Sequence, residues 1–246
     1  MGRSSRLAAV GRRTAHLVGV SAPGVAGRAG QFLALVALAF AMTPVEYGRF
    51  AALQIVVVGV ASVLGSSTAA TMNGAAARIS GARNLPVRVL YVALLRGRRR
   101  MFLGAAAASA VIVPLAYVLV TGTSTQPALL LAVAGLGLLS GAMPLGDALV
   151  AVTSGSGRYL QGSLLDAGRA IFGAGAALAG AVSFGPVGGA FGLVSADVVL
   201  LVVMLLRVAS VTTPAMEVPA APREGMVAGV VANITGQLTQ LSLIHI

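Results

Sequence analysis

The sequence contains no cysteine, no tryptophan and no lysine, and it has few charged residues of any kind. The absence of cysteine excludes disulfides, thiol nucleophiles and cysteine-based metal sites. Only 9% of the residues are charged, whereas soluble domains carry roughly 25%. A soluble chain of 246 residues needs a charged surface, so this composition, with 57% hydrophobic residues, indicates an integral membrane protein.

Motifs for cofactor chemistry are also missing from the sequence. It contains no GxxxxGK[ST] phosphate loop, no His and Glu cluster with metal-ligand spacing and no Ser-His-Asp set. We therefore expect no enzyme activity, no cofactor and no metal. The formal charge of +11 would suit nucleic acid, but the basic residues lie between apolar segments of membrane length, so no nucleic-acid partner is expected.

Six apolar segments are long enough to cross a membrane as helices, since about 20 residues span the hydrocarbon. Irregular backbone cannot face lipid, so the sequence predicts an all-α, polytopic transmembrane helix bundle. A basic cytoplasmic tail (1–21) is expected before the bundle (22–207), and a cytoplasmic linker (208–225) after it. The spans are roughly 22–42, 50–76, 101–121, 127–152, 160–184 and 187–207, and a seventh starts at 226–240.

The last six residues, LSLIHI, differ from the rest of the chain. They hold one of its two histidines and resemble the in-frame translation of a sequencing-library transposon end. Residues 241–246 are therefore interpreted as an adapter artefact and excluded from the fold argument. The natural protein is expected to continue through the seventh span.

The distribution of arginine predicts the orientation of the bundle. Cytoplasmic loops of membrane proteins are enriched in Arg and Lys. With a cytoplasmic N-terminus, most of the 17 basic residues fall on the inner side, one (Arg49) falls outside, and two (Arg28 and Arg169) fall inside spans. We therefore expect a multi-pass protein of the inner (cytoplasmic) membrane. The inner set is Arg3, Arg6, Arg12, Arg13, Arg78, Arg83, Arg88, Arg96, Arg98, Arg99, Arg100, Arg158, Arg207 and Arg223.

The segment LPVRVLYVALLRGRRR, residues 85–100, mixes apolar residues with arginines. This pattern is typical of a helix that lies in the membrane interface on anionic lipid headgroups. An ordinary cytoplasmic loop is the alternative.

The turn TPVEYGRF, residues 43–50, places polar residues between two apolar runs. Pro44 ends one span, and Glu46 lies where the dipole of the next helix favours an anion. A local structural role therefore explains much of the turn. A direct role of Glu46 or Arg49 in substrate binding is the alternative.

The same turn carries a family resemblance. Its pattern P-x-E-Y-G-x-F resembles the oligosaccharide flippases, which export polysaccharide units and belong to the multidrug/oligosaccharidyl-lipid/polysaccharide (MOP) superfamily. The segment 154–172, with Gly157 and Arg158, resembles that family's inner turn between spans four and five, and NITGQLTQ resembles the start of its seventh span. The residues that match the first pattern are Pro44, Glu46, Tyr47, Gly48 and Phe50.

The resemblance implies a function and an architecture. In such proteins two six-helix lobes face each other across a central cavity, and this chain would supply the first lobe and the start of the second. The expected substrate is a lipid-linked oligosaccharide for cell-envelope polysaccharide synthesis. The expected partners are therefore membrane lipid and the lipid-linked saccharide, with a coupling ion, H⁺ or Na⁺, left open.

Charged residues within spans are costly and usually face the interior of a bundle. Asp166 and Arg169 share a helix face, and Arg169 and Asp197 fall at equal depth on two spans joined by a tight turn, so these residues could meet. A structural ion pair and a polar substrate cavity are both open interpretations. The candidate cavity charges are Arg28, Glu46, Arg49, Asp147, Asp166, Arg169 and Asp197.

Other functions remain open at this point. The aspartates favour a cation-coupled multidrug exporter of the same superfamily. A polymerase or glycosyltransferase of envelope assembly would need a larger loop or domain than the sequence provides. A non-transport membrane protein of envelope assembly is the third alternative, and the charges within its spans argue against it.

Overall fold

The computed structural model describes residues 3–82, 85–122 and 127–208, and its regular elements in these ranges are all helices. The all-α, polytopic membrane bundle predicted from the sequence is confirmed. The predictions for residues 209–246, which concern the linker, the seventh span and the adapter, lie outside the described residues. The helices are α1 (Arg3–Ala41), α2 (Pro44–Ala82), α3 (Val87–Thr121), α4 (Pro127–Ser140), α5 (Met143–Gly155) and α6 (Tyr159–Val208).

Five helical segments in the described ranges are long and apolar enough to cross a membrane. The last, Tyr159–Val203, has 45 residues and is long enough to cross twice. It is broken at Gly185, whose φ of 68° and ψ of −158° suit glycine alone. Beyond this point the chain folds back, because Gly188 lies against Gly180 and Gly192 against Ala176. The two legs, 159–184 and 186–208, correspond to the fifth and sixth spans of the sequence analysis.

A second interruption separates α4 from α5 within the fourth span. Gly141 and Ala142 form a turn, and their N–H groups donate to the carbonyls of Leu138 and Leu139 at 3.2 and 2.9 Å. Pro144 then lies in the first turn of α5, where its missing N–H costs no helical hydrogen bond. The fourth span is therefore two half-helices.

The start of α3 differs from the interface helix expected for residues 85–100. One continuous helix begins at Val87 and runs to Thr121. Leu90, Tyr91 and Leu94 are buried in a cluster with residues of α2 and α5, such as Met72 and Val152. Most apolar side chains of this segment are therefore buried against α2 and α5, and the segment belongs to the helix bundle.

The two ends of the bundle differ in charge. One end, here called the basic end, contains the α2–α3 connection and the α5–α6 turn, and Asn73 meets Gly155 there. The other end, here called the Glu46 end, contains the α1–α2 turn and the bend at Gly185, and Phe50 packs against Gly189 there. The exposed arginines near these two connections are Arg78, Arg88 and Arg158.

Large apolar side chains cover the outside of the bundle. Phe40, Leu119 and Phe184 are each at least three-quarters exposed. In water such a surface would aggregate, whereas in a bilayer it is solvated by lipid. Five charged residues instead line an inner surface, where α1, α2, α5 and both legs of α6 meet.

Candidate functional site

A cavity of about 420 Å³ lies between α1, α2, α5 and the two legs of α6. Its apolar lining includes Leu35, Leu38 and Val58, and its polar groups are concentrated on a few helix faces. We call it the central cavity. Its polar lining consists of Arg28 and Gln31 from α1, Gln54 and Ser62 from α2, Asp147 from α5, and Asp166, Arg169 and Asp197 from α6.

Arg169 organises the charged wall of this cavity. Its Nε donates to Oδ1 of Asp197 at 2.7 Å, and its Nη2 contacts the same carboxylate. Nη2 also donates to Oδ1 of Asp147 at 3.0 Å. Nη1 lies 3.9 Å from Oδ1 of Asp166, one turn earlier on the same helix. One guanidinium therefore compensates three carboxylates from three helical segments.

Burial is uneven within this cluster. The side chain of Asp197 is 5% exposed and that of Arg169 is 12% exposed, while Asp147 and Asp166 are 44% and 51% exposed. A buried carboxylate needs a partner, and the planar guanidinium supplies two N–H groups to Asp197. The Arg169–Asp197 pair is therefore the inner, structural part of the cluster, and Asp147 and Asp166 face the cavity.

Gly146 makes the approach of α5 to this pair possible. A Cβ at this position would collide with Oδ1 of Asp197 and lie 2.7 Å from Cζ of Arg169. Glycine therefore lets the α5 backbone lie directly on the ion pair, which places Asp147, the next residue, within hydrogen-bond reach of Nη2.

Tyr91 holds this part of α5 from the other side. Its hydroxyl donates to the carbonyl of Leu145 at 2.9 Å, immediately before Gly146. Burial raises the pKa of the Tyr91 phenol above its ordinary value. α3 is thereby connected to the backbone that lies on the ion pair.

The structure brings together five of the seven charged residues proposed from the sequence. Arg28, Asp147, Asp166, Arg169 and Asp197 all line the central cavity. The predicted contacts of Arg169 with Asp166 and Asp197 are present. Among the described residues, Arg28 forms no ion pair.

Glu46 and Arg49 lie apart from this cluster, at the Glu46 end. The Glu46 carboxylate accepts hydrogen bonds from the backbone N–H and the hydroxyl of Thr43, at 3.0 and 2.8 Å. The Glu46 N–H donates back to the Thr43 hydroxyl at 3.3 Å. This reciprocal pattern is a capping box, with Pro44 at the first helical position of α2. Glu46 thus starts α2, and neither residue lines the central cavity.

Sequence reasoning missed several groups of the site. Asp147 was a candidate, but its bond to Arg169 was not predicted, since span periodicity does not give the rotation of one helix relative to another. Gln31 and Gln54 lie on neighbouring helices and face one cavity. Their position within apolar spans was a signal that could have identified them. In the described ranges, no three His, Asp or Glu side chains form a group that could hold a metal ion.

Comparisons with known proteins identify the fold. Neither a scan against protein-family models nor a search of curated proteins finds a match. A MOP superfamily transporter from Pyrococcus furiosus has a similar structure, with a TM-score of 0.59 and 18% identity over 90% of this chain. A multidrug and toxic compound extrusion (MATE) protein in complex with MaD3S gives a TM-score of 0.60 at 15% identity, also over 90% of this chain.

A third similar structure is an outward-facing multidrug resistance MATE family transporter of the MOP superfamily, with a TM-score of 0.57 and 18% identity over 92% of this chain. This chain covers only 52–53% of each of the three. The fold of this chain is similar to that of about half of each of these three transporters. At these identities the likeness establishes the fold, and the chain spans about half the length of the solved structures that it matches.

Proposed function

We propose that this chain is the first half of a two-lobed membrane transporter that moves a lipid-linked oligosaccharide across the cytoplasmic membrane by alternating access. Support comes from the fold, which the chain shares with half of each similar MOP transporter. The central cavity gives such a substrate a polar surface inside an apolar bundle. Alternating access requires two lobes that rock around a common site, and this chain supplies one wall of that site.

One observation supports an anionic, sugar-bearing substrate over the other candidate substrates. Arg28 faces the central cavity without an ion-pair partner in the described ranges. A diphosphate binds guanidinium groups by charge-assisted hydrogen bonds. Gln31 and Gln54 line the same cavity, and their amides can donate to and accept from sugar hydroxyls. A lipid-linked oligosaccharide combines these two chemical groups.

The basic end faces the cytoplasm in this proposal, because Arg-rich connections remain on that side. Asp147 lies eight residues before the end of α5, and Asp166 lies seven residues after the start of α6. The charged wall is therefore nearer the basic end, on the side where the substrate would enter.

A cation-coupled multidrug exporter is the second candidate. The central cavity contains three aspartates against two arginines, a net charge of −1 that favours a cationic ligand or a coupling ion, H⁺ or Na⁺. Two of the similar solved structures are MATE proteins. A non-transport role in envelope assembly is the third candidate, and it does not explain why charged residues line a cavity within the bundle.

Binding measurements separate these functions. A fluorescent polyprenyl-diphosphate-linked oligosaccharide and a quaternary-ammonium dye are each titrated into the purified protein. Arg28→Gln should weaken binding of the diphosphate probe about tenfold, because it removes a charge-assisted hydrogen bond, and should leave the dye unaffected. Arg49→Gln, which changes an arginine outside the cavity, is the matched control. Tight dye binding with equal diphosphate affinity in Arg28→Gln and the unmodified protein would favour the exporter.

A further inference from the structure

A second cavity lies on the other side of Arg169. It has a volume of about 460 Å³ and runs between the two legs of α6. Leu165, Gly168 and Phe172 form its wall on the first leg, and Val199 and Val203 form its wall on the second. We call it the side groove.

The side groove opens towards the bilayer. Leu164, Phe172 and Val199, which line it, are each about half exposed. The opposite face of the first leg is covered by α1, because Gly27 packs against Ala167 there. Both legs belong to a segment apolar enough to cross the membrane, which suits their exposed surface to contact with lipid chains.

Two polar side chains line this groove, and the rest of its lining is apolar or glycine. Gln161 lines it towards the basic end, and Arg169 lines both the side groove and the central cavity. Arg158 is exposed in the α5–α6 turn, one helical turn before Gln161. Residues 161, 165, 168 and 172 are spaced three or four apart in α6, so they share one helix face. Arg158 immediately precedes this helix, and its carbonyl accepts a hydrogen bond from the N–H of Gly162 at 3.0 Å.

The length of this face fits one membrane leaflet. From Gln161 to Phe172 the helix rises about 16 Å, close to half of the roughly 30 Å hydrocarbon core. An apolar groove of this length, with an exposed arginine at its polar end, is complementary to a lipid with one ordered chain and an anionic head.

We propose that the side groove binds an anionic phospholipid of the surrounding bilayer, with its head at Arg158 and Gln161 and one acyl chain between the legs of α6. The lipid lies against the Arg169 side chain, whose guanidinium compensates the carboxylates of the central cavity. It is therefore placed to influence the charged wall without entering the transport route. This site is independent of the function proposed above.

Gly168 allows a direct test by filling the groove. A Cβ on Gly168 would meet no atom within 4 Å, so the side chain of Gly168→Leu starts in open space and adds bulk to the groove. Gly175 lies seven residues further along the same face, outside the groove lining, and its added Cβ would also meet no atom within 4 Å. Gly175→Leu is thus a matched control for the effect of leucine on α6.

The experiment uses the 246-residue chain in nanodiscs that contain phosphatidylglycerol with a photoactivatable group in one acyl chain. Cross-links should map to residues 161–172 and 196–203, should fall to the level of random lipid contact in Gly168→Leu, and should persist in Gly175→Leu. Arg158→Gln should lower the preference for phosphatidylglycerol over phosphatidylcholine about fivefold. Size-exclusion profiles verify that each variant is folded.

Three results would overturn the proposal. One is equal labelling of the groove in Gly168→Leu and the unmodified chain. Another is a cross-link from Leu164→Cys to another protein segment, which would make the groove a helix-docking surface. A polyprenyl-phosphate probe that displaces phosphatidylglycerol would also contradict it, because the occupant would then be the transported lipid.

Discussion

Arg169 and Asp197 form the innermost ion pair of the bundle, with Nε of Arg169 donating to Oδ1 of Asp197 at 2.7 Å. The two residues lie on opposite legs of α6, 28 positions apart in sequence. Arginine keeps its proton at any accessible pH, so its burial must be compensated by partners. The hairpin bend at Gly185 provides that compensation by bringing the two legs together.

The first prediction concerns the removal of this arginine. Arg169→Ala leaves Asp197 buried without a cation and should lower the free energy of unfolding by about 3–5 kcal/mol. Arg169→Ala combined with Asp197→Ala should lose less, because no buried charge remains unpaired. Thermal unfolding in detergent measures both, with Arg99→Ala on the exposed surface as control. An unchanged melting temperature in Arg169→Ala would exclude the structural role of the pair.

Gly146 gives a second prediction. Gly146→Ala forces its methyl group against Asp197 and Arg169 and should cost about 1–3 kcal/mol of stability. Gly104→Ala, on α3, adds a Cβ that meets no atom within 4 Å. It should be neutral or stabilising by up to about 1 kcal/mol, since alanine favours helix more than glycine does. If both substitutions have the same effect in thermal unfolding, the close approach of α5 is not required.

The capping box at the Glu46 end predicts different melting temperatures for two substitutions of Glu46. Glu46→Gln should preserve the melting temperature, because glutamine can also complete a capping box. Glu46→Ala should lower it, since the Thr43 backbone N–H then lacks the acceptor that the structure provides. Binding of the polyprenyl-diphosphate probe should be the same in both variants. A loss of binding in Glu46→Gln without a loss of stability would instead indicate a direct substrate role.

Membrane orientation gives a fourth prediction, because the chain has no cysteine of its own. Ala77 lies on the exposed surface of the basic end, and Val45 is 65% exposed at the Glu46 end. Each is replaced by a single cysteine, as Ala77→Cys and Val45→Cys. An impermeant thiol reagent added to intact cells should label Val45→Cys and leave Ala77→Cys unlabelled until the cells are opened. The reverse pattern would place the basic end outside the cytoplasm.

The sequence predicted the all-α membrane bundle correctly, because a bilayer imposes a minimum apolar length on each spanning helix. It also predicted the meeting of Arg169 with Asp166 and Asp197, since helical spacing and a tight turn determine both contacts. The bond from Arg169 to Asp147 depends on how α5 is rotated and on the absence of a side chain at Gly146. Neither is encoded in the periodicity of one span.

The start of α3 shows a second feature that the sequence pattern alone did not predict. Alternating arginines and apolar residues in 85–100 suit a lipid interface as well as a protein interface, and local pattern alone does not distinguish them. The burial of Leu90 and Leu94 against α2 and α5 decides between the two. Such long-range packing overrides a local preference because it removes apolar surface on several sides at once.

The break between α4 and α5 divides the three carboxylates into two groups. Asp166 and Asp197 belong to the legs of α6, which glycine contacts hold together, whereas Asp147 belongs to α5, joined to α4 by the short turn at Gly141 and Ala142. Since Nη2 of Arg169 contacts both Asp147 and Asp197, one guanidinium connects the half-helix α5 to both legs of α6. A side chain, and not the short turn alone, therefore fixes the second half of the fourth span against its neighbours.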